Sequence, residues 1–536
     1  MTNINIPTSN KTQISAEIKQ AVRDQDGNQH YLVESSNGEV WISLSELRSD
    51  ENTVFDRLQR IGTTILTTAP KNAFKKMIEA VSDFQDALVA TQPGFVSPKI
   101  YVHPNGDVTH ADSCRITPIV SFTVDVRYDT KGSMKDWKTG LSAVIEGNAI
   151  CSFLLAYGFL PFLLKLSPLK HNPTVELISP PEYGKSGACA IAASIYGGDP
   201  ESDNGLGASW NMTTNAYSKL RRMANDSLFY VDESNMQGEE LKHDGLIAFM
   251  QASTADKARH TDGAVIAKPV WTALLSNGNE LPEHRFTGAS DTIKAAESRR
   301  ITIVLDEPVF SKSDWKRLRD HVDTNYGLAS RRFAKKVVNS CAENELEFKH
   351  RIRKLMSEFS SQVGDDDTAS QRIQDVFALT YAAGALAREW KILPSKCMNP
   401  ADAVEQIHSK TMSKVNRHKP QSAEQRIREI LAFHKTFNRK CASTDRPKKT
   451  PANNDIFSYY LRRRNGGITV YCHARKLRAA LGTDHRSVLR ELREKKILVG
   501  ENGNSPKLTS QAPTYVGFKG RVYKLVLPAR KLVHKA

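Results

Sequence analysis

Cysteine is scarce and scattered in this sequence. Its seven residues, at 114, 151, 189, 341, 397, 441 and 472, form no CxxC pair. That spacing supplies neither a disulfide framework nor a zinc site, and it fits reduced thiols in a cytoplasmic protein. Long apolar runs are also missing. The longest, Cys151 to Leu164, contains Pro161 and stops at Lys165. A bilayer span needs about 20 apolar residues, so this run reads as a buried helix and no membrane partner is expected. The opening stretch, MTNINIPTSNKTQ, has neither the basic nor the apolar region of a secretory leader. No internal repeat and no low-complexity tract interrupts the chain.

What is present is length and an uneven charge. A chain of 536 residues exceeds one hydrophobic core and predicts several domains. Residues 401–536 hold 30 Lys and Arg against 10 Asp and Glu, while the first 400 hold 45 against 49. A basic end on a near-neutral body predicts a polyanion-binding module, and at this density the polyanion is nucleic acid.

Residues 1–18 read as a disordered tail. Gln29 to Leu47 reads as two short strands about an Asn-Gly turn, Asn72 to Leu88 as a helix, and Lys99 to Pro118 as short strands. Together, residues 19–130 make an N-terminal α+β domain. Over 131–310 the pattern alternates between helix and strand. The β-rich runs are Thr174 to Ile178, Ser227 to Val231, Val270 to Leu275 and Arg300 to Leu305. That alternation predicts a parallel sheet with helices on its faces. Residues 311–440 read as a basic helical region. After a polar stretch, residues 455–536 close the chain with helices and then strands.

The chemistry concentrates in the second of these regions. A phosphate loop needs a strand, a turn of inward-pointing amides, a Lys for the phosphates, and a Ser or Thr whose hydroxyl binds magnesium. Here the strand is Thr174 to Ile178, the turn starts at Ser179, and Gly184-Lys185-Ser186 opens a helix. Two features depart from the usual pattern. Ser179 stands where glycine is usual, and Pro180 and Pro181 each remove an amide donor. A second element, SLFYVDES, ends a β-run on Asp232 and Glu233. There the first acid suits magnesium and the second suits polarising an attacking water. In the third, VWTALLSNGNE, either Ser276 or Asn277 is placed to orient that water. Together they predict an ATP site with Mg2+.

The order EYGKS, AASIYGGDP, WNMTTNAYSKL, LFYVDES, ADKARHTDG and WTALLSNGNE resembles the helicase-like P-loop family of bacterial mobile elements known as domain of unknown function 927. FDRLQRIGTTI and GFVSPKIYVHPNGDV match its N-terminal region, and NGGITVYCHARKLRAALG its C-terminal part. Better-understood members are similar to the self-loading helicases of staphylococcal chromosome cassettes, which are related to mini-chromosome-maintenance helicases. The resemblance implies an α/β P-loop ATPase core of AAA+ type and a hexameric ring of identical subunits acting on DNA during replication of a mobile element. It also implies that Ser179, Gly184, Lys185 and Ser186 bind ATP, that Ser186 and Asp232 hold magnesium, and that Glu233 is catalytic with Asn277 or Ser276 as sensor. Arg299 or Arg300 would reach a neighbouring subunit's nucleotide, with Arg300 preferred because it abuts the strand. The family tends to have glycine at Ser179 and in Thr254-Ala255-Asp256, so a binding-only ATPase stays open.

Two segments read as DNA-facing. STADKARHTDGAVIAKPVW resembles a pre-sensor hairpin, with Lys257, Arg259 and Lys268 for phosphate contacts. The C-terminal region resembles a winged helix, with Arg462, Arg463 and Arg464 beside it. Residues 484–496 would bury Leu489 and Leu492 and turn Arg486, Arg490 and Arg493 outward to phosphate. Two functions follow: an ATP-driven helicase or translocase, or a catalytically degenerate, nucleotide-binding initiator, regulator or defence protein that binds DNA.

Overall fold

The computed structural model describes residues 15–65, 67–203, 205–234, 269–279, 300–364, 368–415, 423–434, 438–440, 457–462, 467–481, 485–499, 509–513 and 520–527. Its centre is a five-stranded parallel sheet. The strands are β1 (Thr174–Ile178), β2 (Ala208–Ser209), β3 (Leu228–Asp232), β4 (Ala273–Gly278) and β5 (Arg300–Val304), in the order β2-β3-β4-β1-β5. The parallel sheet expected from the sequence is therefore present. Every residue of β1 and β4 is buried, as strands covered on both faces must be. The register pairs Leu177 with Asn277 and Val231 with Ser276. This brings the carboxyl ends of β1, β3 and β4 to one edge.

Helices cover the sheet. The apolar run becomes α1 (Ala149–Phe159), capped by Asn148, whose Oδ1 accepts from the Cys151 amide at 3.1 Å, and it continues as a 3-10 turn over Leu160–Leu166. The segment Ala149–Leu166 has the length and composition of a membrane span, but it is 83% buried within the protein. It packs against α2 (Lys185–Ala193), α5 (Thr368–Glu389) and α6 (Pro400–Val415). Between these come α3 (Lys312–Val322) and the long α4 (Leu328–Val363). That helix breaks at Asn344, whose side chain accepts from the Glu347 amide at 3.1 Å and so caps the second half.

The remaining residues form smaller cores. Strands Ala16–Arg23, Gln29–Ser35 and Gly38–Ser43 make an antiparallel sheet. They enclose Tyr31, Val33, Phe55, Leu58 and Phe74 with helices Glu51–Arg60 and Thr68–Glu79. The second helix stops at Glu79 rather than running on to Leu88, because Gln85–Asp86 pairs with Val22 and Arg23 as a strand. Residues 89–128 attach instead to the central core. Tyr101 donates to the Asp226 carbonyl at 2.8 Å and Tyr128 to that of Leu228 at 2.9 Å, which fastens this segment to the start of β3.

At the other end, α7 (Ala423–Phe433), α8 (Ala474–Leu481) and α9 (His485–Glu494) share a core with the strands Ile468–His473 and Arg521–Leu527. Glu491 on α9 accepts from the Ala423 amide at 3.0 Å, so α7 packs with this cluster rather than with α6.

Candidate nucleotide site

At the carboxyl edge of β1 the chain turns through 179–184 into α2. Gly184 caps that helix at φ +83°, and Glu182 takes φ +68°, so the turn uses two left-handed residues, one of them not a glycine. Lys185 is buried, and its Nζ donates to the Ser179 carbonyl at 3.0 Å, to Ser179 Oγ at 3.2 Å and to the Pro180 carbonyl at 3.0 Å. Burial pushes this ammonium down to about 8, while Cys189 and Asp232 pull the other way. Ser179 thus contributes two of the three acceptors that hold the lysine. The turn rests on the segment after β5, where Val309 donates its amide to the Tyr183 carbonyl at 3.0 Å and Phe310 closes over Gly184 and Gly187.

The acid pair ends β3. Glu233 sits at φ +57°, a sparsely populated conformation for a side chain of its size. Its amide is held by Asp232 Oδ1 at 2.9 Å and by Asn277 Oδ1 at 3.1 Å. Asn277 Nδ2 in turn donates to the Tyr230 hydroxyl at 3.1 Å. The side chains of Asn277 and Asp232 therefore fix the backbone that aims Glu233, and a strained acid at a sheet edge is the kind of feature functional sites retain.

Ser276 points the other way, since neighbours on a strand face opposite sides. It accepts the Trp210 indole N–H at 2.8 Å in a buried contact. Of the two sensor candidates, only Asn277 meets the acid pair.

Arg300 is a correction. It was expected to reach a neighbouring subunit, but it is 4% exposed in the first position of β5 and pairs with the buried Glu176 of β1 at 3.4 Å. A side chain enclosed by its own sheet cannot cross to another chain. Breaking such a buried pair from one side costs about 3–5 kcal/mol. Arg300→Ala is accordingly expected to lower the melting temperature of the isolated chain sharply, as measured by calorimetry; an unchanged melting temperature would count against this assignment.

Arg299, Lys257, Arg259, Lys268, Arg463 and Arg464 lie outside the described residues. Arg462 ends the strand Ser458–Arg462. Arg486, Arg490 and Arg493 lie exposed on α9, whose Val488, Leu489 and Leu492 are buried.

These residues suit a nucleotide with magnesium in three respects. Lys185 opens α2 directly after the turn that follows β1, where a lysine can reach phosphate held on the turn's amides. Ser234 Oγ is 1% exposed, has no hydrogen-bond partner among the described residues, and lies beside Gly278 where β3 and β4 end. A cavity of about 620 Å³ lies along β5 and the segment after it, with Thr302, Asp306, Val309, Gln406 and Lys410 in its wall, and it is linked to the turn through Val309, whose amide bonds the Tyr183 carbonyl.

Several participants were not legible in the sequence. Trp210 and Tyr230 stand in the runs WNMTTNAYSKL and LFYVDES without a role of their own there, and only folding brings them to Ser276 and Asn277.

The molecule is thus an α/β protein whose parallel sheet gathers a lysine turn, an acid pair and an asparagine at one edge. The model of a family described as domain of unknown function (DUF927) matches residues 7–264 of this chain. A solved structure titled "SCCmec type IV Cch - active helicase" shares this fold at a TM-score of 0.53 and 18% identity, covering 96% of this chain and 93% of that one. A second, "The A form apo structure of NrS-1 C terminal region-CTR", aligns at a TM-score of 0.27 and 13% identity over 69% of this chain and 83% of the other. No curated protein matches this sequence.

Proposed function

We propose that this chain is an ATP-dependent DNA helicase or translocase, working as a hexameric ring in replication of a bacterial mobile genetic element. The observation that carries the reading is the convergence of Lys185, Asp232, Glu233 and Asn277 on adjacent strands at one sheet edge. The fold shared with a protein titled an active helicase supports it.

In this reading Lys185 exchanges the acceptors of its own turn for phosphate oxygens, joined by amides of the turn and the start of α2. Ser186 and Asp232 would hold magnesium, which would supply charge neutralisation at the transferred phosphoryl group. Glu233 takes the proton of the attacking water. Asn277, which fixes the Glu233 amide, keeps that carboxylate aimed. The cavity beside Val309 receives the base and ribose. With Arg300 buried, Arg299 is the arginine assigned to the neighbouring subunit's nucleotide. The sheet order, with β4 between the lysine strand and the acid strand, supports an AAA+-like core.

Lys257, Arg259 and Lys268 are assigned to the DNA backbone within the ring. The helices α8 and α9 and their strands are assigned as a winged helix, with Arg486, Arg490 and Arg493 contacting phosphate and Arg462, Arg463 and Arg464 assigned to the same role. Neutralising phosphates releases counterions, so binding should weaken steeply with salt. The test is unwinding of a forked duplex: strand separation that requires ATP and magnesium supports the reading, and its absence with an active control fork contradicts it.

One observation favours a second reading, a binding-only protein. Lys185 is fully engaged by Ser179 and Pro180, and those bonds must be given up before phosphate is held. A protein of this second kind would bind nucleotide and DNA without turnover.

A further inference from the structure

The helix Met134–Ile145 carries a polar stripe that the nucleotide site does not use. Ser133 starts this helix, its Oγ accepting from the Asp136 amide at 3.0 Å. Met134, Trp137, Leu141 and Ile145 are buried, and the Trp137 indole donates to Ser194 Oγ at 3.0 Å, which fixes the rotation of the helix. Lys135, Lys138, Thr139 and Ser142 fall at i, i+3, i+4 and i+7, so they share a second face.

That face is closed into a cavity of about 340 Å³ by Arg332 of α4 and by Ser395 in the segment after α5. The wall is fastened at two points. Lys138 Nζ donates to the Lys391 carbonyl at 2.9 Å, and the Ser142 and Ser395 hydroxyls meet at 3.2 Å.

Three cations therefore converge on one cavity, and no carboxylate stands in its wall. Neighbouring cations are arranged differently. On α4, Arg331 pairs with Asp107 at 2.9 Å and Lys335 with Asp112 at 2.7 Å, and Lys396, next to Ser395, pairs with Glu146 at 2.6 Å. Among the described residues Lys135, Lys138 and Arg332 have no such partner. Like charges disfavour one another until an anion joins them. Because the first 400 residues hold more acidic than basic side chains, this unpaired cluster is a local feature of the body and not part of the basic C-terminal region.

We propose that this cavity is a phosphate-binding site for the backbone of a DNA strand. The inference rests on the reading of this chain as DNA-binding. Two ammonium groups and a guanidinium suit phosphate oxygens, and the Thr139 and Ser142 hydroxyls add donors. The wall holds no aromatic side chain, so it offers no platform on which a base could stack. A free nucleotide would leave its base unheld here, whereas a strand needs only its phosphates held. Such contacts position a strand without reading its sequence.

The test is fluorescence anisotropy of a labelled oligothymidylate titrated with the full chain across a salt series, with thermal melting alongside. The triple variant Lys135→Gln, Lys138→Gln, Arg332→Gln is expected to melt near the parent and to flatten the slope of log affinity against log salt by about 2, at about 0.7 per phosphate contact on a single strand. Lys135→Gln alone is expected to flatten it by about 0.7, and Lys138→Arg, which keeps the charge, to retain the parent slope. Parent slope and affinity in the triple variant would overturn the site while the DNA-binding reading stands. Titration with inorganic pyrophosphate separates the two sources of phosphate: pyrophosphate binding lost in the triple variant, with DNA binding unchanged, would overturn the strand assignment in favour of a free phosphate compound. Failure of the parent chain to bind the oligonucleotide would overturn both the site and the reading it rests on.

Discussion

Replacing Glu233 with Gln is expected to lower ATP turnover by about 10²–10⁴-fold, the usual contribution of a positioned general base, while ADP affinity stays within about twofold. The substitution preserves size and the backbone amide that Asp232 and Asn277 hold at 2.9 and 3.1 Å. What it removes is the oxygen able to take a proton from water. Steady-state phosphate release and ADP titration, run on the same samples, separate the two effects. Retention of turnover in Glu233→Gln would move the general base elsewhere, and parallel loss of turnover and ADP binding would make Glu233 a structural residue.

The second large effect is expected from Lys185→Ala. Each charge-assisted hydrogen bond contributes about 1.5–3 kcal/mol, so losing even one phosphate contact raises the ADP dissociation constant by about 10–150-fold. The three oxygens that Lys185 now satisfies belong to the buried Ser179 and Pro180, and leaving buried acceptors unpaired costs about 1–3 kcal/mol each. The variant is therefore expected to melt below the parent, and ADP binding is compared at a temperature where both are folded. Nucleotide affinity equal to the parent's would show that the lysine stays with its own turn and takes no part in phosphate recognition.

Much of this site was legible in sequence, and the remainder has identifiable physical reasons. The β-rich runs starting at Thr174, Ser227, Val270 and Arg300 stood out because strands buried on both faces are continuously apolar, although the strands themselves begin at Leu228 and Ala273 in the second and third. Gly184-Lys185-Ser186 and Asp232-Glu233 stood out because they interrupt or end those runs. The choice between Ser276 and Asn277 was hidden, since adjacent strand positions face opposite sides and only Trp210 and the Glu233 amide reveal which side is which.

Arg300 was misjudged for a related reason. An arginine abutting a strand looks exposed until its partner Glu176, far away in sequence, is placed across the β1 and β5 pairing. Ser179 looked like a defect. In the structure its hydroxyl and carbonyl hold the lysine, a role that residue type alone does not disclose. Likewise, the first core ends near residue 84 because Tyr101 and Tyr128 bond to β3, and two lone tyrosines give no boundary signal. The wall shared by Lys138, Arg332 and Ser395 joins three segments far apart in the chain, beyond the reach of any local pattern.

The central claim is that nucleotide turnover at this sheet edge is coupled to DNA. The most direct measurement is steady-state ATP hydrolysis by the full chain with and without single-stranded DNA, using Glu233→Gln as the control. The account predicts turnover that rises when DNA is added and vanishes in the variant. A low rate, indifferent to DNA and equal in parent and variant, would contradict it and leave a nucleotide-binding, DNA-binding protein without a motor.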